Sequence, residues 1–259
     1  GDGRAVPFDP MNDAVKTLAE TIRHAAASKS PLRIVGGGSK DFYGNPATGE
    51  TLSISGYRGI IDYEPTELVI TARAGTPLVE VETALKEKGQ MLAFEPPHFG
   101  PAATLGGTVA AGLSGPRRPY AGAVRDLVLG VRLLDGNGTD LKFGGQVMKN
   151  VAGYDVSRLM AGSLGTLGLL TEVSLKVLPI APAQATLACL HVSQQDALDL
   201  LHRWGGQPLP LNASAWVHDT TAEPAHDALY VRLRGAQAAV QAAIQRMQAD
   251  VRALGAEVM

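Results

Sequence analysis

Three glycine clusters are the parts of this sequence whose residue types and spacing could bind a ligand through the backbone. They are Gly36–Lys40, the glycine-rich stretch Pro101–Arg118, and Gly162–Gly168. Glycine has no Cβ, so the chain can approach a ligand closely, and successive N–H groups can converge on the oxygen atoms of an anion. Taken alone, the first cluster is explained about equally well by a plain glycine turn, and the second at least as well by a small-residue helix whose glycines allow close packing. For the third, a loop that binds a ligand is the better explanation. Three clusters in one chain favour a bound ligand.

The first cluster follows a predicted strand, Leu32–Val35, and such a strand–loop arrangement is common in phosphate-binding sites. It is not a Walker loop, because that motif needs Gly-Lys-Ser/Thr leading into a helix, whereas this loop reads Gly-Ser-Lys. The dinucleotide fingerprint is excluded as well, because Gly-Asn-Pro at 44–46 prevents a helix from starting there. The loop therefore belongs to a different architecture.

The composition is that of an ordinary soluble globular protein and excludes several function classes. Its 259 residues are 45% hydrophobic and 19% charged, with a net charge of −2, so we expect neither a nucleic-acid binder nor a membrane-surface binder. No apolar run approaches the roughly 18 residues of a membrane span, and no signal peptide is recognisable, so a cytoplasmic protein is expected. The single cysteine, Cys189, lies in a pattern typical of a buried strand thiol, and no metal site is expected.

Hydrophobic periodicity predicts helices and strands in mixed order up to residue 180. A first helix is expected at about 10–28 after Asp9-Pro10, a second is capped by Thr76-Pro77 and ends at Gly89, and a short helix lies at 156–161. A hairpin joins two of the strands through the turn at 135–138, and 149–155 is expected to be a loop. Runs rich in β-branched residues predict strands at 51–55, 59–63, 67–73, 90–94, 126–134, 139–143 and 169–178.

A smaller module follows a proline-containing linker at 179–182. Its predicted strand, helix, strand, strand and helix occupy 186–192, 197–204, 213–218, 228–234 and 236–254. This order is typical of a small α+β module, which normally ends with one more strand. Residues 257–259 only begin such a strand, so the module is expected to be incomplete.

The chain resembles the flavoproteins that share the FAD-binding domain of vanillyl-alcohol oxidase and para-cresol methylhydroxylase, the PCMH type. The stretches that carry the resemblance are Ile34–Lys40, Ala103–Ala110, Tyr120–Gly130 and Asp155–Pro179, in the order of that family. Within the family the chain is most similar to the smaller FAD-binding subunit of bacterial glycolate oxidase. The run Lys149–Leu159 favours that branch in particular.

The resemblance implies an α+β fold with two domains. An FAD-binding PCMH-type domain would span 1–181, with α+β subdomains at about 1–64 and 65–181, and a partial, ferredoxin-like cap domain would span 182–259. It implies FAD held between the subdomains, with its pyrophosphate on the first loop and with 104–108, 112–114 and 164–170 along the rest of the cofactor. Attachment should be non-covalent, because the first loop has no histidine and no loop has a nearby cysteine.

The resemblance also assigns individual cofactor contacts. They are Val35, Gly36, Gly37, Gly38, Ser39, Lys40, Gly44, Pro101, Thr104, Leu105, Gly106, Gly107, Thr108, Gly112, Ser114, Gly115, Arg118, Gly165, Thr166, Gly168, Leu169 and Leu170. The catalytic base stays unassigned. His98, Arg117 and Arg118 are candidates for contacts with the substrate, and for each a solvent-exposed side chain is at least as good an explanation.

In function, the resemblance implies an FAD-binding subunit that oxidises glycolate to glyoxylate in a complex with a larger flavoprotein subunit and an iron–sulfur subunit. Contact with the inner membrane would then occur through the complex. Two alternatives stay open: a self-sufficient FAD-dependent dehydrogenase of another small 2-hydroxy acid, and an assembly subunit that performs no chemistry itself.

Overall fold

The computed structural model of the protein describes residues 10–145 and 154–259. These residues form two compact units. The first contains the chain up to Gly115 together with Ala123–Pro179, and the second contains Pro116–Gly122 and Ile180–Met259. The predicted start of the first helix at Asp9 and most of the predicted loop at 149–155 lie outside the described residues.

Helices and strands alternate irregularly, which confirms the α+β class. The described α-helices are α1 (Pro10–Ala27), α2 (Leu78–Glu87), α3 (Leu105–Ala111), α4 (Arg118–Ala121), α5 (Val124–Leu127), α6 (Val156–Met160), α7 (Gln194–Gly205) and α8 (Gln237–Ala253). The described strands are β1 (Leu32–Val35), β2 (Glu50–Ser53), β3 (Ile60–Glu64), β4 (Val69–Arg73), β5 (Gln90–Leu92), β6 (Val128–Leu134), β7 (Asp140–Gly144), β8 (Leu169–Pro179), β9 (Ala183–Leu190), β10 (Leu211–Asp219), β11 (His226–Gly235) and β12 (Glu257–Val258).

An antiparallel sheet with the strand order β3-β4-β8-β6-β7 is the framework of the first unit, and β5 pairs with β8. The β6–β7 pair is the predicted hairpin. Alternate residues of β8 are apolar, and Val173, Leu175 and Val177 are fully buried because side chains on a strand point alternately to its two faces. Phe94 and Leu105 complete the same core, which fixes α3 on the sheet.

The second unit contains a four-stranded antiparallel sheet with the order β10-β11-β9-β12. Its core includes Trp204 from α7 and Met247 from α8, and the Trp204 indole N–H donates to Asp250 at 2.9 Å. The predicted order of strand, helix, strand, strand and helix is confirmed, and the short β12 pairs with β9. Cys189 is fully buried in this core, and burial raises its pKa to about 11, as expected of a structural thiol.

The predicted cap of α2 is wrong. The helix begins after Pro77 with no side-chain hydrogen bond at its N-terminus. The Thr76 hydroxyl is fully buried and instead accepts from the N–H of Gly59 at 2.9 Å, which ties the turn after β4 to the residue before β3. In the described residues, none of the helices has both the length and the apolar composition of a membrane span.

Candidate functional site

A cleft with a volume of about 670 Å³ lies in the first unit. Its walls come from the loop after β1, from α3 and from the loop before β8, so the structure brings parts of all three glycine clusters to one place. The predicted site residues on this cleft are Val35, Gly36, Gly37, Gly38, Ser39, Lys40, Gly44, Thr104, Gly106, Gly107, Leu164, Gly165, Thr166, Gly168, Leu169 and Leu170.

The first two glycines of the loop after β1 are needed because this loop packs directly on the second cluster. A Cβ on Gly37 would lie 1.6 Å from the carbonyl oxygen of Ala102, and a Cβ on Gly36 would lie 2.4 Å from Thr104 Oγ1. Both distances are far shorter than van der Waals contact, so neither position accepts a side chain without movement of the backbone or of Thr104. Close contact between two protein segments therefore already requires glycine at both positions, and the predicted approach of these residues to a ligand stays a prediction.

The rest of this loop presents backbone donors to the cleft. Gly38 has φ 71°, a left-handed conformation that favours glycine, and its carbonyl accepts from the Asp41 N–H at 3.3 Å to close a turn. Within the described part of the chain, the N–H groups of residues 37–40 donate to no protein acceptor. Successive N–H groups in such a turn are suited to the oxygen atoms of a phosphate.

α3 forms one wall of the cleft, but the backbone N–H groups of its first turn are not available to a ligand. Its first N–H groups are bonded within the protein: Leu105 donates to Thr76 O at 2.9 Å and Gly106 to Ala74 O at 2.8 Å. The Gly107 N–H donates to Oγ1 of Thr104, the N-cap residue, at 3.1 Å. The helix is therefore already satisfied at its N-terminus, and a ligand would pass along its side.

The loop before β8 offers the cleft a hydroxyl group. Ser163 lines the cleft, and its Oγ is buried with no hydrogen-bond partner in the described structure. The neighbouring Gly162 and Leu164 donate backbone N–H bonds to Val109 O and Ala110 O, both at 3.0 Å, which fixes this loop on α3. Buried hydroxyl groups are rarely left unpaired in proteins, so Ser163 fits a site completed by a polar ligand.

Among the charged side chains at the first loop, Lys40 lines the cleft without a carboxylate partner in the described residues. Arg33 and Asp41 form an ion pair at 2.7 Å. Lys40 Nζ donates to Ser39 Oγ at 3.3 Å, and partial burial in the cleft lowers the pKa of Lys40 below its ordinary value. A bound phosphate would favour the charged form and offset this desolvation.

The remaining predicted residues lie outside the cleft lining. They are Pro101, Leu105, Thr108, Gly112, Ser114, Gly115 and Arg118. Within α3, Leu105 is fully buried and Thr108 donates its hydroxyl to Thr104 O at 2.8 Å. Gly112 ends the helix with φ 68°, and a Cβ there would lie 2.9 Å from the N atom of Gly162. Leu105, Thr108 and Gly112 therefore support the α3 wall of the cleft from within the protein.

Ser114, Gly115 and Arg118 have other surroundings. Ser114 Oγ accepts from the Val124 N–H at 3.1 Å. Gly115 has φ 77°, and a Cβ there would lie 1.9 Å from Glu95 O. Arg118 is exposed on α4 in the second unit. Their contact with a cofactor stays a prediction.

The candidate substrate contacts are placed as follows. His98 Nε2 lies 2.9 Å from Glu82 Oε2, so this histidine pairs with a carboxylate of α2. Arg117 and Arg118 belong to the second unit, where Arg117 is buried, contrary to the solvent-exposed alternative, and Arg118 is exposed.

Several lining residues were not among the predicted contacts. Ile54 follows β2, which pairs with β1, and Ala74 follows β4, which pairs with β8. These pairings bring both residues to the cleft, and the sequence alone does not show them. The others adjoin a predicted residue or extend the first loop, so continuing each motif along the chain would have found most of them. The unpredicted lining residues are Arg33, Ile34, Asp41, Tyr43, Asn45, Pro46, Ala47, Ile54, Ala74, Ala110, Ala111 and Ser163.

The sequence matches a family of proteins described as having an FAD binding domain, over residues 13–144. The chain belongs to this family. The match includes the first two glycine clusters and both strands of the parallel β1–β2 pair. FAD is accordingly the cofactor of this domain, and the free donors of 37–40, Lys40 and the unpartnered Ser163 hydroxyl fit its diphosphate.

Curated relatives of the chain include glycolate oxidase subunits and dehydrogenases of D-lactate and D-2-hydroxyglutarate. Glycolate oxidase subunit GlcE of Escherichia coli (strain K12) is 52% identical over 231 residues, which is 89% of this chain and 63% of that protein. Glycolate oxidase subunit GlcD of Bacillus subtilis (strain 168) is 33% identical over 132 residues, covering 51% of this chain and 28% of that protein. The chain thus spans less than two thirds of the length of either relative.

A solved structure shares the fold. An alkyldihydroxyacetonephosphate synthase matches with a TM-score of 0.75 at 17% sequence identity, covering 94% of this chain and 50% of that one. At this identity the likeness concerns the fold alone. Together with the match to the FAD-binding family, it confirms the α+β, PCMH-type fold expected from the sequence.

Replacing Lys40 by methionine is expected to weaken FAD binding about tenfold, because a charge-assisted contact with phosphate is lost while the side-chain length is kept. The apoprotein should keep or slightly raise its melting temperature, since the substitution removes a desolvated charge from the cleft. Fluorescence titration with FAD and thermal unfolding measure the two effects. A lower melting temperature with unchanged FAD affinity would contradict the assignment of Lys40 to the cofactor.

Proposed function

We propose that the chain is the FAD-binding subunit of a glycolate oxidase and takes part in the oxidation of glycolate to glyoxylate. The similarity to glycolate oxidase subunit GlcE, which extends over most of this chain, carries the proposal. The similarity to a GlcD subunit supports a complex in which a larger flavoprotein subunit is the partner. An iron–sulfur subunit completes the proposed complex, because the single cysteine of this sequence is buried in the second unit.

The described residues have defined roles in this proposal. The N–H groups of 37–40 hold phosphate oxygen atoms, Lys40 neutralises their charge, and the Ser163 hydroxyl adds a hydrogen bond at the opposite loop. α3 packs along one side of the cofactor and donates none of its first N–H groups to it, because these groups are bonded within the protein. When bound non-covalently, FAD supplies a hydride acceptor for the oxidation of a 2-hydroxy acid.

We keep the division into an FAD-binding domain at 1–181 and a cap domain at 182–259 as part of the proposal. The expected location is the cytoplasm, with any contact with the inner membrane made through the complex. The predicted subdomain boundary near residue 64 falls between β3 and β4, which are paired in the structure.

The test begins with the colour of the purified protein. Acid should release about one FAD per chain, and protein that is colourless and takes up no added FAD would contradict the proposal. Anaerobic glycolate is expected to bleach the flavin when the chain is co-purified with its larger flavoprotein and iron–sulfur partners. Absence of bleaching in that complex would overturn the assignment to a glycolate oxidase.

A second candidate is a self-sufficient dehydrogenase of another 2-hydroxy acid. It is favoured by a D-lactate dehydrogenase of Archaeoglobus fulgidus that is 28% identical over 208 residues, 80% of this chain. Bleaching of the isolated chain by D-lactate and not by glycolate would support this candidate. Bleaching by glycolate only in the complex would support the first.

A further inference from the structure

An exposed segment contributes one part of the cleft wall. Residues 41–49, here called the strap, follow the first loop, and every one of them is exposed. Five consecutive strap residues, 43–47, nevertheless line the cleft. The strap therefore forms part of the cleft wall without being part of the hydrophobic core.

An aromatic contact holds one end of the strap. The rings of Phe42 and Phe99 meet edge to face, with centroids 4.9 Å apart and an interplanar angle of 78°. Phe42 is 66% exposed and Phe99 is 53% exposed, so neither ring is fixed by burial. This pair connects the strap to the segment that leads into the second glycine cluster.

A second contact lies further along the strap. A Cβ built on Gly44 would lie 3.1 Å from Cδ1 of Leu164, so this leucine of the third cluster lies directly beside the strap backbone. Gly44 has φ 86°, which bends the strap at this point. The strap is thus held at two places, on residues from two different loops.

Both residues that receive the strap have a strained backbone. Phe99 and Leu164 each have φ 52°, a left-handed conformation that bulky side chains rarely adopt. Both side chains are about half exposed, so packing in the core does not account for this conformation. In each case the left-handed turn directs an apolar side chain to the strap.

We propose that the strap is a closure of the cofactor cleft, held shut by the Phe42–Phe99 and Gly44–Leu164 contacts, which opens for FAD to enter and leave. Contacts this small are suited to opening, because an exposed aromatic pair adds little free energy to the closed state. The role in cofactor retention rests on the proposed function, whereas closure itself can be tested without FAD.

The first experiment measures strap opening in the apoprotein by chymotrypsin cleavage after Tyr43, followed by mass spectrometry. Phe99→Gly removes the ring and also relieves the left-handed backbone, so the variant should fold. Cleavage is expected to become about fivefold faster, the effect of losing one aromatic contact. Lys29→Gly is the matched control, because Lys29 is exposed, has φ 53° and is not among the residues of the cleft.

Two results would overturn the closure: an unchanged cleavage rate in Phe99→Gly, or an equal increase in Lys29→Gly. Phe42→Leu keeps an apolar side chain at this contact, whereas Phe42→Ser does not. Cleavage after Tyr43 is therefore expected to be slower in Phe42→Leu than in Phe42→Ser. A rate in Phe42→Leu equal to that in Phe42→Ser would also count against the closure.

The second experiment measures FAD release from the holoprotein by the rise in flavin fluorescence after dilution. Phe99→Gly and Leu164→Gly should each release FAD about fivefold faster than the unmodified protein and Lys29→Gly. Faster cleavage with unchanged release would overturn the role in retention while leaving the closure intact. Failure of the unmodified protein to bind FAD would contradict the proposed function and would leave the cleavage result standing.

Discussion

An alanine at position 37 is expected to destabilise the first unit by about 3 kcal/mol or more and to leave the protein without flavin. The added Cβ would lie 1.6 Å from the Ala102 carbonyl oxygen, which belongs to the backbone and has no alternative rotamer. Either the loop after β1 or the segment before α3 must move, and the wall of the cleft moves with it. Loss of flavin then follows from loss of structure.

Hydrogen exchange over β1 and α3 measures this effect where it arises. Trp204 and Trp216 both lie in the second unit, so tryptophan fluorescence follows that unit separately. Gly56→Ala is a suitable control in the first unit, because a Cβ at Gly56 meets nothing within 4 Å. Normal exchange over α3 in Gly37→Ala, with flavin lost, would instead favour the simple explanation that Gly37 only admits the cofactor.

Much of the fold could be predicted because its elements carry strong local signals. The order of strands and helices in the second unit follows from hydrophobic periodicity alone, and β8 alternates apolar and polar residues along its length. The cap of α2 could not be predicted, because the Thr76 hydroxyl can accept either from an N–H group of the helix that follows it or from the N–H of Gly59. The sequence shows the helix that follows it, and only the fold brings Gly59 within reach.

The site was predictable in location and less so in mechanism. Three clusters pointed to one cleft, and the structure brings parts of all three together. What each glycine is for depends on distant residues: Gly36 and Gly37 face the segment at 102–104, and Gly106 faces Ala74, where a Cβ would meet the alanine Cβ at 2.7 Å. Close packing of two segments and approach to a ligand both require glycine, so the sequence alone does not distinguish these two roles and the structure is needed.

Gly107 differs from these glycines and leads to the second large effect. It lines the cleft, and apart from the backbone of its own helix a Cβ there would meet only Thr104 Oγ1, at 3.0 Å. A larger side chain therefore extends into the cleft, where we propose that the cofactor lies. Gly107→Leu is expected to weaken FAD binding at least about 100-fold, which corresponds to about 2.7 kcal/mol.

The same substitution should not unfold the protein. Leucine is favoured over glycine in a helix by up to about 1 kcal/mol, which offsets the small adjustment at Thr104. Gly205→Leu, at the end of α7 with nothing within 4 Å of its Cβ position, is the matched control in a helix. FAD titration and thermal unfolding of both variants test this prediction. Retained FAD affinity in a folded Gly107→Leu protein would mean that the cofactor does not pass along α3. Weak binding in that variant alone would place the cofactor against this face of the helix, where Gly107 is the position that leaves room for it.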